Sequence, residues 1–126
     1  MNLPELKIGK LVAQVPIIQG GMAIRLSTAP LAAAVANEGG IGLIAASGMG
    51  LDELRKEIRM ARELTGGKGI IGINAMVAAR QFLDLITTAA EEGIDLIVAG
   101  AGFSRDIFAV GKKYGVEVVP IVSSAR

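Results

Sequence analysis

Short runs of β-branched and other apolar residues alternate with longer helical segments along most of this chain. The runs lack the alternation of apolar and polar positions typical of half-exposed strands, so they predict a parallel sheet covered on both faces. The predicted strands are residues 16–20, 41–46, 70–76, 94–99 and 116–122. Ahead of them, residues 6–14 predict a hairpin.

The segments between the predicted strands carry signals for the start and end of helices. Ser27 or Thr28 can cap a first helix with Pro30 in its first turn, and Gly39 and Gly40 can end it. Further helices are predicted over residues 51–64, 79–92 and 104–114. In the second helix, one apolar side is predicted to contain Leu51, Leu54, Ile58, Ala61 and Leu64.

Repeated βα units predict one of two α/β folds. The first is the N-terminal portion of a TIM-type (β/α) barrel, with about five parallel strands and four helices. The second is a flavodoxin-like doubly wound sheet, and periodicity leaves both open. A complete barrel needs about 250 residues, whereas this chain has 126 and stops just past a predicted strand. We therefore expect residues 1–126 to be a single, incomplete N-terminal segment of a barrel.

Composition excludes several classes of function. The formal net charge is only +1, which gives no electrostatic reason to expect nucleic acid or an anionic membrane as a partner. No apolar run reaches the length of a membrane span, and charges near the start oppose a secretory signal, so a cytoplasmic location is expected. A hydrophobic fraction of 52% is high for so short a chain, and it predicts a homo-oligomer or pairing with a missing C-terminal half.

The chain contains neither cysteine nor histidine. Thiolate nucleophiles, thiolate metal sites and the commonest general base are therefore excluded, and no metal site is predicted. No two carboxylates are spaced so as to argue for acid/base work, so no catalytic residue is assigned. Any chemistry has to come from a bound cofactor, carboxylates, lysines, hydroxyls or the backbone.

In parallel α/β folds, ligands bind at the C-terminal ends of the strands. Here those ends are rich in glycine and small residues, which let backbone N–H groups approach a ligand closely or simply satisfy the βα turns. Asn74 is the most informative residue, because an amide in an apolar strand costs roughly 1–3 kcal/mol unless it finds hydrogen bonds. Either a ligand edge, a neighbouring strand end or water could supply them. Met22, Met49 and Met76 lie near three strand ends and could line a ligand or fill the core.

The residues at the strand ends carry a family resemblance. Two stretches closely resemble the start of nitronate monooxygenases (2-nitropropane dioxygenases) and of the flavin-dependent enoyl-acyl carrier protein reductases that share their barrel. They read Pro16-Ile17-Ile18-Gln19-Gly20-Gly21-Met22-Ala23 and Leu31-Ala32-Ala33-Ala34-Val35-Ala36-Asn37-Glu38-Gly39-Gly40-Ile41-Gly42. Weaker matches follow at Gly72-Ile73-Asn74, Ala99-Gly100-Ala101-Gly102 and Val118-Val119-Pro120-Ile121-Val122-Ser123-Ser124.

This resemblance implies a barrel that holds FMN across its C-terminal mouth and acts on a small molecule, either a nitronate or an enoyl thioester. By position, it assigns flavin contacts to Gly21, Met22 and Ala23, and a hydrogen bond to a flavin edge to Asn74. Gln19, Gly100 and Ser123 are further candidates. The family's histidine base and the loops that hold the FMN phosphate correspond to nothing in this chain. We therefore expect weakened flavin binding and no catalysis by these residues alone.

Overall fold

A computed structural model describes residues 2–125 as a helical layer packed on a parallel sheet, with a small hairpin on the other face. The hairpin consists of β1 (Leu6–Ile8) and β2 (Leu11–Ala13). The strands that follow are β3 (Ile41–Ala45), β4 (Ile70–Met76), β5 (Leu96–Gly100) and β6 (Glu117–Pro120). The helices are α1 (Ala29–Asn37), α2 (Leu51–Leu64), α3 (Phe82–Glu91) and α4 (Asp106–Tyr114).

The order of the strands decides between the two predicted folds. β3, β4, β5 and β6 are parallel and lie side by side in the order of the sequence, and each helix from α1 to α4 packs against the next. A doubly wound sheet reverses its strand order and places helices on both faces. The barrel prediction is therefore confirmed, and the flavodoxin-like alternative is wrong.

The first predicted strand, residues 16–20, is reduced to an isolated parallel bridge between Ile18 and Ile41. Two backbone hydrogen bonds support it, from Gln19 N–H to the Ile41 carbonyl (3.0 Å) and from Ile41 N–H to the Ile17 carbonyl (2.9 Å). This segment has a partner on one side only, and Pro16 has no N–H to donate, so the ladder stays short. The bridge nevertheless places the segment next to β3, as in the predicted order.

Several predicted boundaries shift by a few residues. α3 begins at Phe82 rather than at residue 79, because the carbonyl of Ala79 closes a turn with the Phe82 N–H (3.1 Å). α4 begins at Asp106, whose N–H donates to Ser104 Oγ at 3.2 Å. α2 has the predicted bounds, but Leu64 is 50% exposed and does not belong to its buried side.

The sheet has two differently covered faces. Residues such as Ile71, Ile73 and Ile97 point into the main core beneath the helices. On the opposite face, which corresponds to the inside of a barrel, β1 and β2 cover the N-terminal ends of the strands. The side chains packed there are Leu6, Ile8, Leu11, Ala13, Ile41, Leu43, Ile70, Leu96, Val98 and Val119. The hairpin thus leaves the inner face open at the C-terminal ends of the strands.

A polar clasp joins the hairpin to the start of β6. Lys10 Nζ donates to the Gly115 carbonyl at 2.6 Å, and the Lys10 N–H donates to Glu117 Oε1 at 3.2 Å. Gly9 has a positive φ of 55°, and a Cβ there would overlap the Glu117 carboxylate, so glycine is needed at the hairpin turn. Within residues 2–125, no helix combines the length and apolar character needed to cross a membrane.

Candidate functional site

Two of the predicted site residues, Gly21 and Asn74, are brought into direct contact at the C-terminal ends of the strands. Gly21 packs so closely on Asn74 that a Cβ at Gly21 would overlap the Asn74 Cβ and would lie 3.1 Å from Nδ2. Residues alternate between faces along a strand, so Asn74 shares the inner face with Ile70. The contact therefore forms on the face that the hairpin leaves open.

The side-chain amide of Asn74 is available to a ligand. Asn74 is partly buried, and its backbone carbonyl accepts the Ala46 N–H at 2.9 Å, which fixes the strand end. Among the hydrogen bonds found within residues 2–125, none involves its side chain. The alternative that a neighbouring strand end satisfies this amide is thus not observed in that part of the chain.

A turn over residues 20–27, called here the 20–27 turn, carries Gly21, Met22 and Ala23. Ser27 is fully buried beneath it. Its Oγ accepts the Met22 N–H at 2.8 Å and lies 3.1 Å from the Gly20 carbonyl, to which it donates. Its own N–H donates to the Met22 carbonyl at 3.0 Å. These bonds close the turn and fix its backbone.

Ser27 or Thr28 was predicted as the helix cap, and only the Ser27 alternative is wrong. The N-cap residue of α1 is Thr28, which makes no capping hydrogen bond through its side chain. Instead, Glu57 of α2 accepts the Ala29 N–H at 2.6 Å. A serine just before a helix usually signals a cap, and no pattern in the sequence reveals that this one closes a turn.

The amide of Gln19 is occupied by the protein itself. Its Oε1 accepts the Leu43 N–H at 3.2 Å, and its Nε2 donates to the Leu43 carbonyl at 3.2 Å and to Ser27 Oγ at 3.0 Å. Nε2 also contacts the Gly20 carbonyl. These bonds give Gln19 a structural role beside β3, and its predicted flavin contact stays a prediction.

The backbone N–H groups of the 20–27 turn differ in whether they have an acceptor within the protein. The Met22 N–H is taken by Ser27, whereas the N–H groups of Gly21 and Ala23 have no acceptor among residues 2–125.

The side chains of Met22 and Met76 are 46% and 45% exposed at the strand ends, so they do not fill the core. Met49 is buried in it.

Gly100 and Ser123 lie at increasing distance from Asn74, Gly100 on the neighbouring strand β5 and Ser123 after β6, the strand beyond it. Gly100 pairs in register with Met76 of β4, its carbonyl accepts the Val77 N–H at 2.8 Å, and a Cβ there would be 3.0 Å from Ile121 Cδ1. Ser123 follows β6, two strand spacings or roughly 10 Å from β4. It lines an open groove of about 400 Å³ that is formed by Gly102, Phe103, Ile121, Val122, Ser123 and Ser124. Among residues 2–125, no hydrogen bond joins Ser123 to Gly21 or Asn74.

A second serine, which sequence reasoning left without a role, joins two strand ends. Ser47 Oγ accepts the Met76 N–H at 2.8 Å, so the end of β3 is tied to the end of β4. The only sequence signal is its position directly after a predicted strand. Such bonds hold the strand ends at fixed spacing around Asn74.

Charged groups lie around this site rather than inside it. Arg25 on the 20–27 turn forms a two-point ion pair with Glu53 of α2, at 3.0 Å and 3.2 Å. Elsewhere on α2, the hydrogen bond and charge of Glu92 raise the pKa of Arg59 above its ordinary value. No cluster of three or more acidic, histidine or cysteine side chains suited to a metal ion occurs among residues 2–125. The inner face near Asn74 thus offers neutral amide and backbone donors.

Comparison with known proteins gives relatives of similar architecture. The structure of FabK from Thermotoga maritima shares 36% sequence identity and a TM-score of 0.80, covering 86% of this chain and 34% of that one. A nitroalkane oxidase from Streptomyces ansochromogenes has a TM-score of 0.77 at 21% identity, covering 89% of this chain and 41% of that one, and shows likeness of fold.

A curated relative from Mycobacterium tuberculosis is 29% identical over 111 residues. It is (3aS,4S,5R,7aS)-5-hydroxy-7a-methyl-1-oxo-octahydro-1H-indene-4-carboxyl-CoA dehydrogenase, and the match covers 88% of this chain but 30% of the relative. The chain thus spans about a third of the length of the relatives that it matches.

The family model described as nitronate monooxygenase matches residues 5–125. That match includes the 20–27 turn, Asn74 and the sequential parallel strands. This chain therefore belongs to the nitronate monooxygenase family, whose members are flavin-dependent oxidoreductases.

Proposed function

We propose that this chain forms the N-terminal part of an FMN-binding mouth in an oxidoreductase that oxidises alkyl nitronates. The supporting observation is the contact between Gly21 and Asn74, which puts a free side-chain amide beside a turn with free backbone N–H groups. Neutral donors at the edge of an open apolar surface suit a flat ring with polar edges. A branched residue in place of Gly21 would occupy that space.

The residues of the chain fit a flavin in specific ways. Asn74 can bond to the edge of the ring, and the N–H groups of Gly21 and Ala23 can donate to its oxygen and nitrogen atoms. When bound, FMN supplies the redox chemistry, taking electrons from the substrate. The protein's part here is to hold and orient the ring, while Met22 and Met76 provide apolar contact and exclude water.

The FMN assignment is tested by titrating the protein that carries this chain with FMN and following the quenching of flavin fluorescence. Asn74→Ala should weaken binding about tenfold, the effect of losing one hydrogen bond of roughly 1.4 kcal/mol. Asn37→Ala is a matched control, because the Asn37 amide donates to the Leu64 carbonyl at the opposite end of the sheet. An Asn74→Ala affinity equal to that of the wild type would contradict the proposed flavin contact.

A second candidate function is reduction of an enoyl thioester with NAD(P)H. The 36% identity to FabK favours it, since FabK is an enoyl-acyl carrier protein reductase. The two activities differ in their electron donor, so a direct assay on the protein that carries this chain separates them. Oxidation of a nitronate without NAD(P)H supports the first function, and NAD(P)H-dependent reduction of a crotonyl thioester supports the second.

We also propose that the two edges of the sheet pair with further barrel strands or with a second copy of the chain. Ile17 and Ile18 are exposed along one edge, and Ile121 is 58% exposed beyond the other. Unpaired strand edges and exposed apolar residues favour association. Analytical ultracentrifugation tests this, and a chain that remains monomeric at high micromolar concentration excludes the second copy. Colourless oligomers would instead support a non-catalytic assembly module.

The remaining expectations about partners and location belong to this proposal as well. A net charge of +1 gives little attraction to nucleic acid or to anionic lipid. We therefore propose a cytoplasmic protein whose ligands are small molecules. Recovery of the protein in the membrane pellet after cell fractionation would argue against this.

A further inference from the structure

The side chains of Ser27 and Gln19 lie beneath the 20–27 turn and hydrogen-bond to its backbone. The Ser27 hydroxyl accepts one backbone N–H of the turn, donates to one of its carbonyls and accepts from Gln19. A single fully buried hydroxyl thus uses its donor and both acceptor sites within the protein. The conformation of the turn depends on this group, because short turns have few other internal bonds.

The same two residues attach the turn to β3. Gln19 makes both an accepted and a donated bond with the backbone of Leu43, and the Ser27 carbonyl accepts the Ala45 N–H at 2.9 Å. β3 in turn pairs with β4, with Ala45 directly opposite Asn74. A continuous set of hydrogen bonds therefore runs from the turn through β3 to the strand that carries Asn74.

We infer that Ser27 and Gln19 are positioning residues, which set the backbone of Gly21 and Met22 against Asn74 and thereby control cofactor affinity without touching the cofactor. This inference rests on the proposed function. It reassigns Gln19 from ligand contact to support, because both ends of its amide are already bonded to the protein. It also gives a role to Ser27, which lies outside the predicted set of ligand contacts.

The test compares Ser27→Ala with the wild type, in the protein that carries this chain, by two measurements. The first is the ¹H–¹⁵N resonance of the Asn74 side-chain amide without ligand, which reports whether the turn still packs on Asn74. The second is the dissociation constant for FMN. Ser27→Ala should displace the Asn74 resonance and raise the dissociation constant about tenfold, the effect of misplacing one hydrogen-bonded contact.

Ser104→Ala is the matched control, since it also removes a hydroxyl that accepts a backbone N–H, at the start of α4. It should leave the Asn74 resonance unmoved and FMN affinity within about twofold of the wild type. Because Ser27 is fully buried and Ser104 is only partly buried, FMN binding is measured well below the melting temperature of each variant, so that a difference in stability does not enter the comparison. If Ser27→Ala moves the Asn74 resonance but binds FMN as the wild type does, the inference is overturned.

Gln19→Glu provides the second variant should Ser27→Ala fail to fold. It keeps the size of the side chain and an acceptor for the Leu43 N–H, but it loses the bonds that Nε2 donates. We expect the same displacement of Asn74 and about threefold weaker FMN binding. If the protein that carries this chain binds no FMN in its wild-type form, the proposed function fails, and the Asn74 resonance then decides the positioning role alone. An unmoved resonance in the folded variant refutes it.

Discussion

Among substitutions that add one methyl group at the candidate site, Gly21→Ala should cause the largest loss of stability. The φ of Gly21 lies outside the left-handed region, so the effect comes from the added Cβ, which would overlap the Asn74 Cβ. That atom is fixed to β4, which is paired on both sides, and a change of side-chain rotamer cannot move it. Overpacking of this kind costs about 1–3 kcal/mol. At this chain length, that corresponds to a melting temperature lower by roughly 4–12 °C.

The neighbouring Gly20 provides the control. A Cβ at Gly20 would meet no atom within 4 Å, and its φ is also compatible with alanine. Gly20→Ala should therefore leave stability unchanged or raise it by about 0.4–1 kcal/mol, because alanine restricts the unfolded chain. Thermal unfolding followed by circular dichroism measures both variants under identical conditions.

A double-mutant cycle identifies the atom responsible. Asn74→Gly removes the overlapping Cβ, so it should recover most of the stability lost in Gly21→Ala, with a coupling energy of about 1 kcal/mol or more. Asn74→Ala keeps that Cβ and should recover little. If Gly21→Ala and Gly20→Ala have the same melting temperature, or if Asn74→Ala restores as much stability as Asn74→Gly, the Asn74 Cβ is not the atom responsible.

Three further perturbations test other parts of the fold. Gly42→Ala should cost about 3 kcal/mol or more in urea unfolding, because its Cβ would overlap the backbone of α1. Glu57→Ala should cost about 1 kcal/mol in the same assay, since it leaves the Ala29 N–H at the start of α1 without its acceptor. The pKa of Arg59 is raised by Glu92, so its contribution to stability is present below the ordinary arginine pKa and is lost only as pH rises through the raised value. Arg59→Gln should therefore leave the dependence of stability on pH between 5 and 9 unchanged.

The elements that the sequence predicted well are those in which local and tertiary signals agree. α2 has an apolar side and a glycine before it, and it was predicted with its observed bounds. β4 was also predicted with its observed bounds, as an apolar run interrupted by Asn74 that lies between two other strands. Residues 16–20 have the same apolar character but only one neighbour, and pairing on one side reduced them to a bridge. Strand formation depends on partners that a local pattern does not contain.

At the site, the sequence could indicate which residues lie at strand ends but not which of them meet. Gly21 and Asn74 were both predicted, and the structure puts them in contact. Gln19 was predicted for the same reason, yet its amide turns toward Leu43. Side-chain direction within a turn depends on backbone geometry that composition does not encode. Ser27 could not be identified because a serine before a helix has a commoner explanation.

The clasp of Lys10 on Gly115 and Glu117 has a consequence for how the hairpin and the sheet are held together. It ties the first turn of the chain to the last strand at the base of the sheet, so the curvature of the half-barrel is held from below. The groups that anchor this pole of the sheet are separate from those that meet at Asn74, as in folds whose anchoring and chemistry occupy opposite poles.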